Sequence, residues 1–172
     1  MRTPVGIMKV LVAYMSLTGN TKKVAEAIYG EITSEKDIKP IEEVQDIGGY
    51  DLSFLGFPTH QGGPDKKVKG FLGRHCTDGR KVALFVTHSA PMNAPELLEW
   101  MPKFKEAAAG ANLVGFFDCQ GEPSRVVRFV MKLSSDENTR TSAKRNDSKG
   151  QPNEATLAKA RSFARKTMNR MA

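Results

Sequence analysis

The chain of 172 residues contains only two cysteines, Cys76 and Cys119, and neither stands in a CxxC or a Cys/His metal spacing. A disulfide framework and a metal site are therefore not expected, and the predicted compartment is a reducing cytoplasm. No stretch approaches the roughly 20 apolar residues that cross a bilayer, so no membrane association is expected. Lys9 interrupts the N-terminal apolar run and no small-residue cleavage site follows, which argues against a signal peptide.

Common catalytic and nucleotide-binding motifs are also missing. Neither GxxxxGK[ST] nor GxGxxG occurs. No Ser/His/Asp order and no paired-carboxylate arrangement stands out, which favours chemistry carried by a cofactor over chemistry carried by side chains. Hydrophobic content of 40% and charged content of 26% are ordinary for a globular protein, and the length suits one domain, residues 1–172.

The excess of positive charge lies in the last third of the chain. The net charge is +7, yet residues 1–122 hold 14 basic and 15 acidic side chains, whereas residues 123–172 hold 12 basic and 4 acidic ones. The basic region is either a solvated surface or a docking surface for an acidic partner or an anionic ligand. Only Phe129 and Phe163 lie among its charges, which argues against nucleic acid as the partner.

Apolar runs that alternate with helical patterns indicate an α/β fold. Strands are predicted at residues 8–15, 38–44, 50–57, 81–88 and 111–120. Apolar residues at helical spacing follow at 20–32, 65–75, about 95–110 and 153–171. Pro40 marks the second strand as an edge strand. The alternation predicts a doubly wound, five-stranded parallel sheet in a three-layer sandwich, with ligands bound beyond the carboxyl ends of the strands.

A polar excursion separates the fifth strand from the last helix. The stretch SSDENTRTSAKRNDSKGQPN (134–153) is polar, charged and short of apolar anchors, so we expect residues 122–152 to form a long loop or insertion that is partly disordered. The run VVRFVMKL (126–133) suits a short helix or a strand, and its spacing does not decide between them. Asn153 is the predicted N-cap of the last helix.

The stretch YMSLTGNTKKVAEAI joins the first apolar run to the first helical pattern. A helix N-terminus offers unpaired N–H donors and a partial positive charge, both of which favour a bound phosphate. Ser16, Thr18 and Thr21 add hydroxyl groups, and Asn20 adds an amide. Gly19 permits close approach of the backbone or a positive φ. This density of polar side chains exceeds what one N-cap requires, and the lack of a P-loop lysine suggests a phosphate monoester.

SLTGNT after a buried first strand resembles the phosphate-binding loop of flavodoxins, which hold flavin mononucleotide (FMN). YDLSFLGFPTHQGGPDKKVKGFL is similar to the third strand, flavin loop and next helix of that family. KVALFVTHSAPMNAPE is similar to its fourth strand and second flavin loop. The resemblance covers residues 8–121 and, by position, the last helix. It implies a flavodoxin-like fold with FMN as the cofactor.

Carried over residue by residue, the resemblance implies three groups of contacts. The phosphate would be bound by Ser16, Thr18, Gly19, Asn20 and Thr21. One side of the isoalloxazine ring would be bordered by Pro58, Thr59, His60, Gln61, Gly62 and Gly63. The other side would be bordered by Thr87, His88, Ser89, Ala90 and Met92. His60 and His88 are either flavin contacts and proton donors or plain polar loop residues.

The sequence departs from classical flavodoxins in its aromatic residues. Those proteins sandwich the flavin between aromatic rings, but neither predicted flavin loop of this chain contains Phe, Tyr or Trp. His60 and Met92 are the nearest substitutes, and neither stacks as well as an indole. We therefore expect weaker FMN binding than in classical members.

Three functions remain open. The leading one is an FMN-binding redox protein that transfers electrons between partners, one of them an acidic redox protein. The alternative is an FMN-dependent reductase acting directly on a small anionic substrate, with Arg125 and Arg128 as substrate or partner contacts. The third is a flavin-free module that binds another phosphate ligand.

Overall fold

A parallel sheet forms the centre of the molecule. The computed structural model describes residues 7–171, so residues 1–6 and 172 of the predicted domain lie outside the described residues. The five strands are β1 (Lys9–Tyr14), β2 (Glu35–Pro40), β3 (Leu52–Pro58), β4 (Lys81–His88) and β5 (Asn112–Gln120). They pair in parallel in the order β2-β1-β3-β4-β5. The predicted doubly wound, five-stranded sheet is confirmed, and its strand order reverses beside β1.

Helices cover both faces of this sheet. They are α1 (Asn20–Glu31), α2 (Lys66–His75), α3 (Leu97–Ala107), α4 (Arg125–Lys132), α5 (Glu137–Lys144) and α6 (Glu154–Met171). Alternate residues of β1 point to opposite faces, as the period of a strand requires. Val10 and Val12 pack in the apolar cluster of α1 and α6, whereas Leu11 and Ala13 pack in the cluster of α2 and α3. None of the helices in the described part of the chain combines the length and apolar character needed to cross a membrane.

The second strand lies earlier than predicted. Residues 38–44 were expected, but the strand is Glu35–Pro40 and a 3₁₀ turn follows at Ile41–Glu43. Its position at the edge of the sheet is confirmed, and Pro40 is its last residue. The sequence EKDIKP contains no run of apolar residues. One of its side chains, Lys36, covers the ring of Tyr29 instead of entering the core. The pattern of apolar residues therefore could not reveal this strand.

The excursion contains two helices, α4 and α5, in place of the predicted long loop. The undecided run 126–133 lies almost entirely in α4. Polar residues of the kind that predicted a loop serve here as the N-caps of these helices. Ser124 Oγ accepts from Val127 N at 3.2 Å, and Asp136 accepts from Thr139 N at 2.7 Å. Asn153 caps α6 as predicted, accepting from Thr156 N at 3.0 Å.

Candidate functional site

The loop between β1 and α1 offers backbone donors at the start of a helix. Gly19 is the N-cap residue, with a φ of 90° that favours glycine. Ser16 Oγ accepts from the N–H groups of Gly19 at 3.1 Å and Lys22 at 3.2 Å. Within the described chain, the N–H groups of Thr18, Asn20 and Thr21 form no hydrogen bond. These groups are therefore free to bind an anion at the positive end of α1.

Two side chains of this loop hold the surrounding structure together. Thr21 is buried, and its Oγ1 lies 2.8 Å from Thr87 Oγ1 at the end of β4. Asn20 Nδ2 donates to Glu122 O at 2.7 Å, which fastens the segment after β5 to the loop. Ser16 still has its own O–H to donate, because its oxygen accepts the two N–H groups. Thr18 is exposed.

The loop after β3 is a tight turn with an unpaired buried hydroxyl. His60 and Gly63 exchange backbone hydrogen bonds of 2.8 and 3.2 Å, and Gln61 and Gly62 between them have φ values of 47° and 79°. Thr59 N donates to Thr87 O at 2.8 Å, which joins this turn to β4. Thr59 Oγ1 is buried and has no hydrogen-bond partner among the described residues. A buried hydroxyl without a partner is costly, so a ligand atom at this position would relieve that cost.

His88 supports the loop after β4 from inside the protein. Its side chain is fully buried, with Nδ1 2.9 Å from Ala90 O and Nε2 3.1 Å from Asp118 Oδ2. Each ring nitrogen thus faces an oxygen atom, one on the loop after β4 and one on β5, and the ring is held between them. Gln120 Nε2 adds a hydrogen bond of 3.1 Å to Ser89 O. The side chain of His88 therefore positions the loop, while the side chain of His60 is exposed in its own turn.

The remaining residues of the two predicted flavin loops differ in exposure. Ala90 and Gly63 are buried, whereas Ser89, Gln61 and Met92 are exposed. Pro58, at the end of β3, is half-buried. The exposed members are the ones whose side chains a ligand or a partner can reach.

Trp100 is an aromatic neighbour that the sequence did not reveal. A Cβ built on Gly62 would lie 2.7 Å from Trp100 Nε1, so the indole packs directly against the turn after β3. Trp100 belongs to α3 and is half-buried. An aromatic ring therefore reaches the predicted flavin loops from a helix, although neither loop contains one. The only signal in the sequence was the glycine pair at 62 and 63, which leaves room for a large neighbour.

A cavity of about 640 Å³ lies between the loop after β4 and the excursion. Trp100 and residues 89–91 and 93–96 line one side, and Met131 and Arg145 are among the residues on the other. The predicted contact Arg128 is not part of this lining. Its guanidinium lies 3.8 Å from Glu122 Oε1 and donates to Arg145 O at 3.3 Å.

Arg125, the other predicted contact, is exposed at the first turn of α4, and it too is absent from the lining of that cavity. The cation that the structure brings to the cavity is Arg145. Across residues 7–171, no three His, Cys, Asp or Glu side chains are grouped so as to hold a metal ion.

Comparison with known proteins agrees with this geometry. A family model, the flavodoxin domain, matches residues 11–165, and the chain belongs to the flavodoxin family. The curated "Flavodoxin-like domain-containing protein BilS" of Clostridioides difficile (strain CD3) is 36% identical in an alignment that covers 94% of this chain and 97% of the relative.

Two solved structures share the fold. Oxidised flavodoxin 2 from Bacillus cereus is 22% identical, with a TM-score of 0.60 over 94% of this chain and 99% of that one. A flavoprotein in complex with FMN from Lactobacillus acidophilus NCFM is 24% identical, with a TM-score of 0.54 over 64% of this chain and 93% of that one. The family assignment makes FMN the cofactor of this chain.

The residues at the carboxyl edge of the sheet fit this cofactor. Free N–H donors stand at the start of α1, where a phosphate is favoured. The buried hydroxyl of Thr59 needs a partner, and it lies in the loop predicted to border the ring. The segments around this edge approach one another closely. Asn20 packs against Gly121, and a Cβ added to Gly121 would lie 2.7 Å from Asn20 Nδ2.

Proposed function

We propose that this FMN-binding protein is an electron carrier that passes electrons between partners. The observation that best supports the proposal is the meeting of the three predicted FMN loops at Thr87. Its carbonyl accepts from Thr59 N and its hydroxyl pairs with Thr21, both at 2.8 Å. The loops leave the carboxyl ends of β1, β3 and β4, where doubly wound sheets bind ligands.

In this proposal the phosphate is held mainly by backbone N–H groups. Thr18, Asn20 and Thr21 supply those donors, and the hydroxyls of Ser16 and Thr18 add two more. Gly19 allows the turn that brings these groups together. The cofactor, when bound, supplies the acceptance and release of electrons.

The ring would lie between the segments 58–63 and 87–92. The hydroxyl of Thr59 would donate to or accept from a polar atom of the ring. His88 would act as a positioning residue, since it holds Ala90 through its carbonyl and is itself fixed by Asp118. These contacts set the shape of the loop before the cofactor arrives, which lowers the entropic cost of binding.

We also propose a reducing, cytoplasmic setting. Cys76 and Cys119 are both free and buried. Burial raises the pKa of the Cys76 thiol to about 11 and that of Cys119 to about 12. Thiols of this kind are small apolar fillers rather than redox centres.

One observation favours a second candidate, an FMN-dependent reductase of a small anionic substrate. The cavity of about 640 Å³ beside the loop after β4 is lined by the indole of Trp100 and the guanidinium of Arg145, together with the carboxylates of Glu96 and Asp136. Arginine binds carboxylates and phosphates, and the indole offers a flat apolar surface. A substrate held there would border the loop proposed to contact the ring.

Anaerobic spectroscopy distinguishes these functions. The FMN-loaded protein is mixed with NADPH alone, then with NADPH and a ferredoxin–NADP reductase, and flavin absorbance is followed. If the protein is a carrier, its flavin absorbance is bleached only when the ferredoxin–NADP reductase is present. Fumarate added afterwards does not restore that absorbance. Recovery of the absorbance with fumarate alone would indicate the reductase. A protein that takes up no FMN would indicate the flavin-free phosphate-binding module.

A further inference from the structure

Helix α4 presents its apolar side to solvent. Val126, Phe129, Val130 and Leu133 follow the i, i+3, i+4, i+7 spacing that normally faces a core. Their exposed fractions are 73%, 61%, 61% and 71%. We call these four residues the α4 stripe. Scattered apolar residues are common on surfaces, but a contiguous stripe on one helix indicates a contact site.

The polar side of α4 fixes the direction in which the stripe faces. Arg128 lies on that side and contacts Glu122 and the carbonyl of Arg145. Arg140 of α5 donates to the carbonyls of Ser134 and Ser135 just after the helix, at 2.9 Å each. The helix is thus attached to the protein through charged groups, and its stripe is left outside.

Basic residues border one side of the stripe. Arg125 and Lys132 are exposed on α4 itself and lie next to Phe129 on the helical wheel. The segment 123–150 holds seven basic and three acidic side chains. An apolar surface bordered by cations is complementary to an apolar surface bordered by carboxylates.

We propose that the α4 stripe is the docking surface for an acidic redox protein. This inference rests on the electron-carrier function proposed above, and it names the partner's chemistry and its place of contact. Met131, on the same helix, lines the cavity beside Trp100 and Ala90. Met131 lies on the side of α4 that faces away from the stripe, so a protein seated on the stripe would be separated from the loop after β4 by the width of one helix.

A second copy of the chain is a poorer occupant. Pairing two α4 stripes around a two-fold axis would bring Arg125 and Lys132 of each copy towards those of the other. Like charges at the border of an apolar contact oppose association. The carboxylates of an acidic partner would instead be attracted to Arg125 and Lys132, and the binding of such a partner weakens as the salt concentration rises.

Calorimetric titration with a bacterial two-cluster ferredoxin, a small acidic iron–sulfur protein, tests the proposal. The ferredoxin is titrated into the wild type and into Phe129→Glu, each with and without FMN. The control is Ile7→Glu, which places the same charge on a residue that is 78% exposed and lies just before β1, at the amino end of the sheet. Thermal melts check that both variants fold.

The expected result is saturable binding by the wild type and by Ile7→Glu. Phe129→Glu should bind at least about tenfold more weakly, the usual effect of losing a central contact. Raising the salt concentration should weaken wild-type binding as well. Val130→Glu should reproduce the loss, because Val130 lies beside Phe129 on the stripe.

Three results would overturn the proposal. The first is equal ferredoxin binding by the wild type and Phe129→Glu, or none by either. The second is self-association in sedimentation that Phe129→Glu abolishes, which would assign the stripe to a second copy. The third is binding to phosphatidylserine vesicles, lost in Phe129→Glu, without ferredoxin binding. Titrations without FMN remain readable if FMN fails to bind, so failure of the proposed function is seen separately.

Discussion

The buried pair of hydroxyls, Thr21 and Thr87, provides a test of how the phosphate is held. Their oxygens are 2.8 Å apart, and the two residues are 1% and 4% exposed. Replacing either one by Val leaves the other hydroxyl buried without its partner, at a cost of about 1–3 kcal/mol. For a chain of this size that corresponds to a fall in Tm of about 2–12 °C. The double variant T21V/T87V removes both hydroxyls and keeps the shapes, so its Tm should return close to that of the wild type.

Titration of FMN into the same three variants completes this test. If the backbone N–H of Thr21 binds the phosphate, the FMN affinity of the double variant stays within about threefold of that of the wild type. A threefold change is smaller than the loss of one typical hydrogen bond would cause. If the hydroxyl of Thr21 is itself the phosphate ligand, the double variant folds normally but binds FMN about tenfold more weakly or worse. That second result would refute a purely structural role for the Thr21 side chain. Additive destabilisation in the double variant would refute the pairing itself.

Three further predictions concern the loops and the buried thiols. Gly19→Ala places a side chain on a backbone with a φ of 90°, so it should lower the free energy of unfolding by about 1–2 kcal/mol and weaken FMN binding. The control Gly30→Ala, inside α1, should raise the free energy of unfolding in urea by about 0.5–1 kcal/mol. Thr59→Val should leave the FMN-free protein at least as stable in thermal melts while lowering FMN affinity about threefold or more, and unchanged affinity would contradict the assignment. Because burial raises the pKa of Cys76 and Cys119 to about 11 and about 12, thiol protons are lost first from the unfolded state, so the free energy of unfolding should fall as pH rises above about 8.5. Urea unfolding at a series of pH values checks this, and a rise over that range would count against it.

The place of the site was predictable because it depends on local patterns. A buried β-run followed by SLTGNT and a helical spacing puts polar groups at the carboxyl end of β1. Parallel strands then bring the loops after β3 and β4 to the same edge. The run at 126–133 was visible as apolar, but its spacing left helix and strand open, and the sequence gave no sign that the apolar side of α4 faces outwards.

The partners of individual side chains were not predictable, because they depend on contacts between distant parts of the chain. Thr21 meets Thr87 across 66 positions, and Asn20 meets Glu122 across 102. Trp100 reaches Gly62 only because α3 packs beside that turn. A residue type can predict that a hydroxyl or amide will form hydrogen bonds, but only the tertiary structure decides which group it meets.

Fluorescence titration with FMN and with riboflavin, in parallel, tests most directly whether the loop at residues 16–21 binds the phosphate of FMN. The two ligands share the ring and differ in the phosphate, so their comparison isolates that loop. We predict saturable quenching by FMN, with riboflavin bound at least about tenfold more weakly because charged hydrogen bonds contribute about 1.5–3 kcal/mol each. Equal affinity for the two ligands, or no quenching by FMN, would contradict this role of the loop.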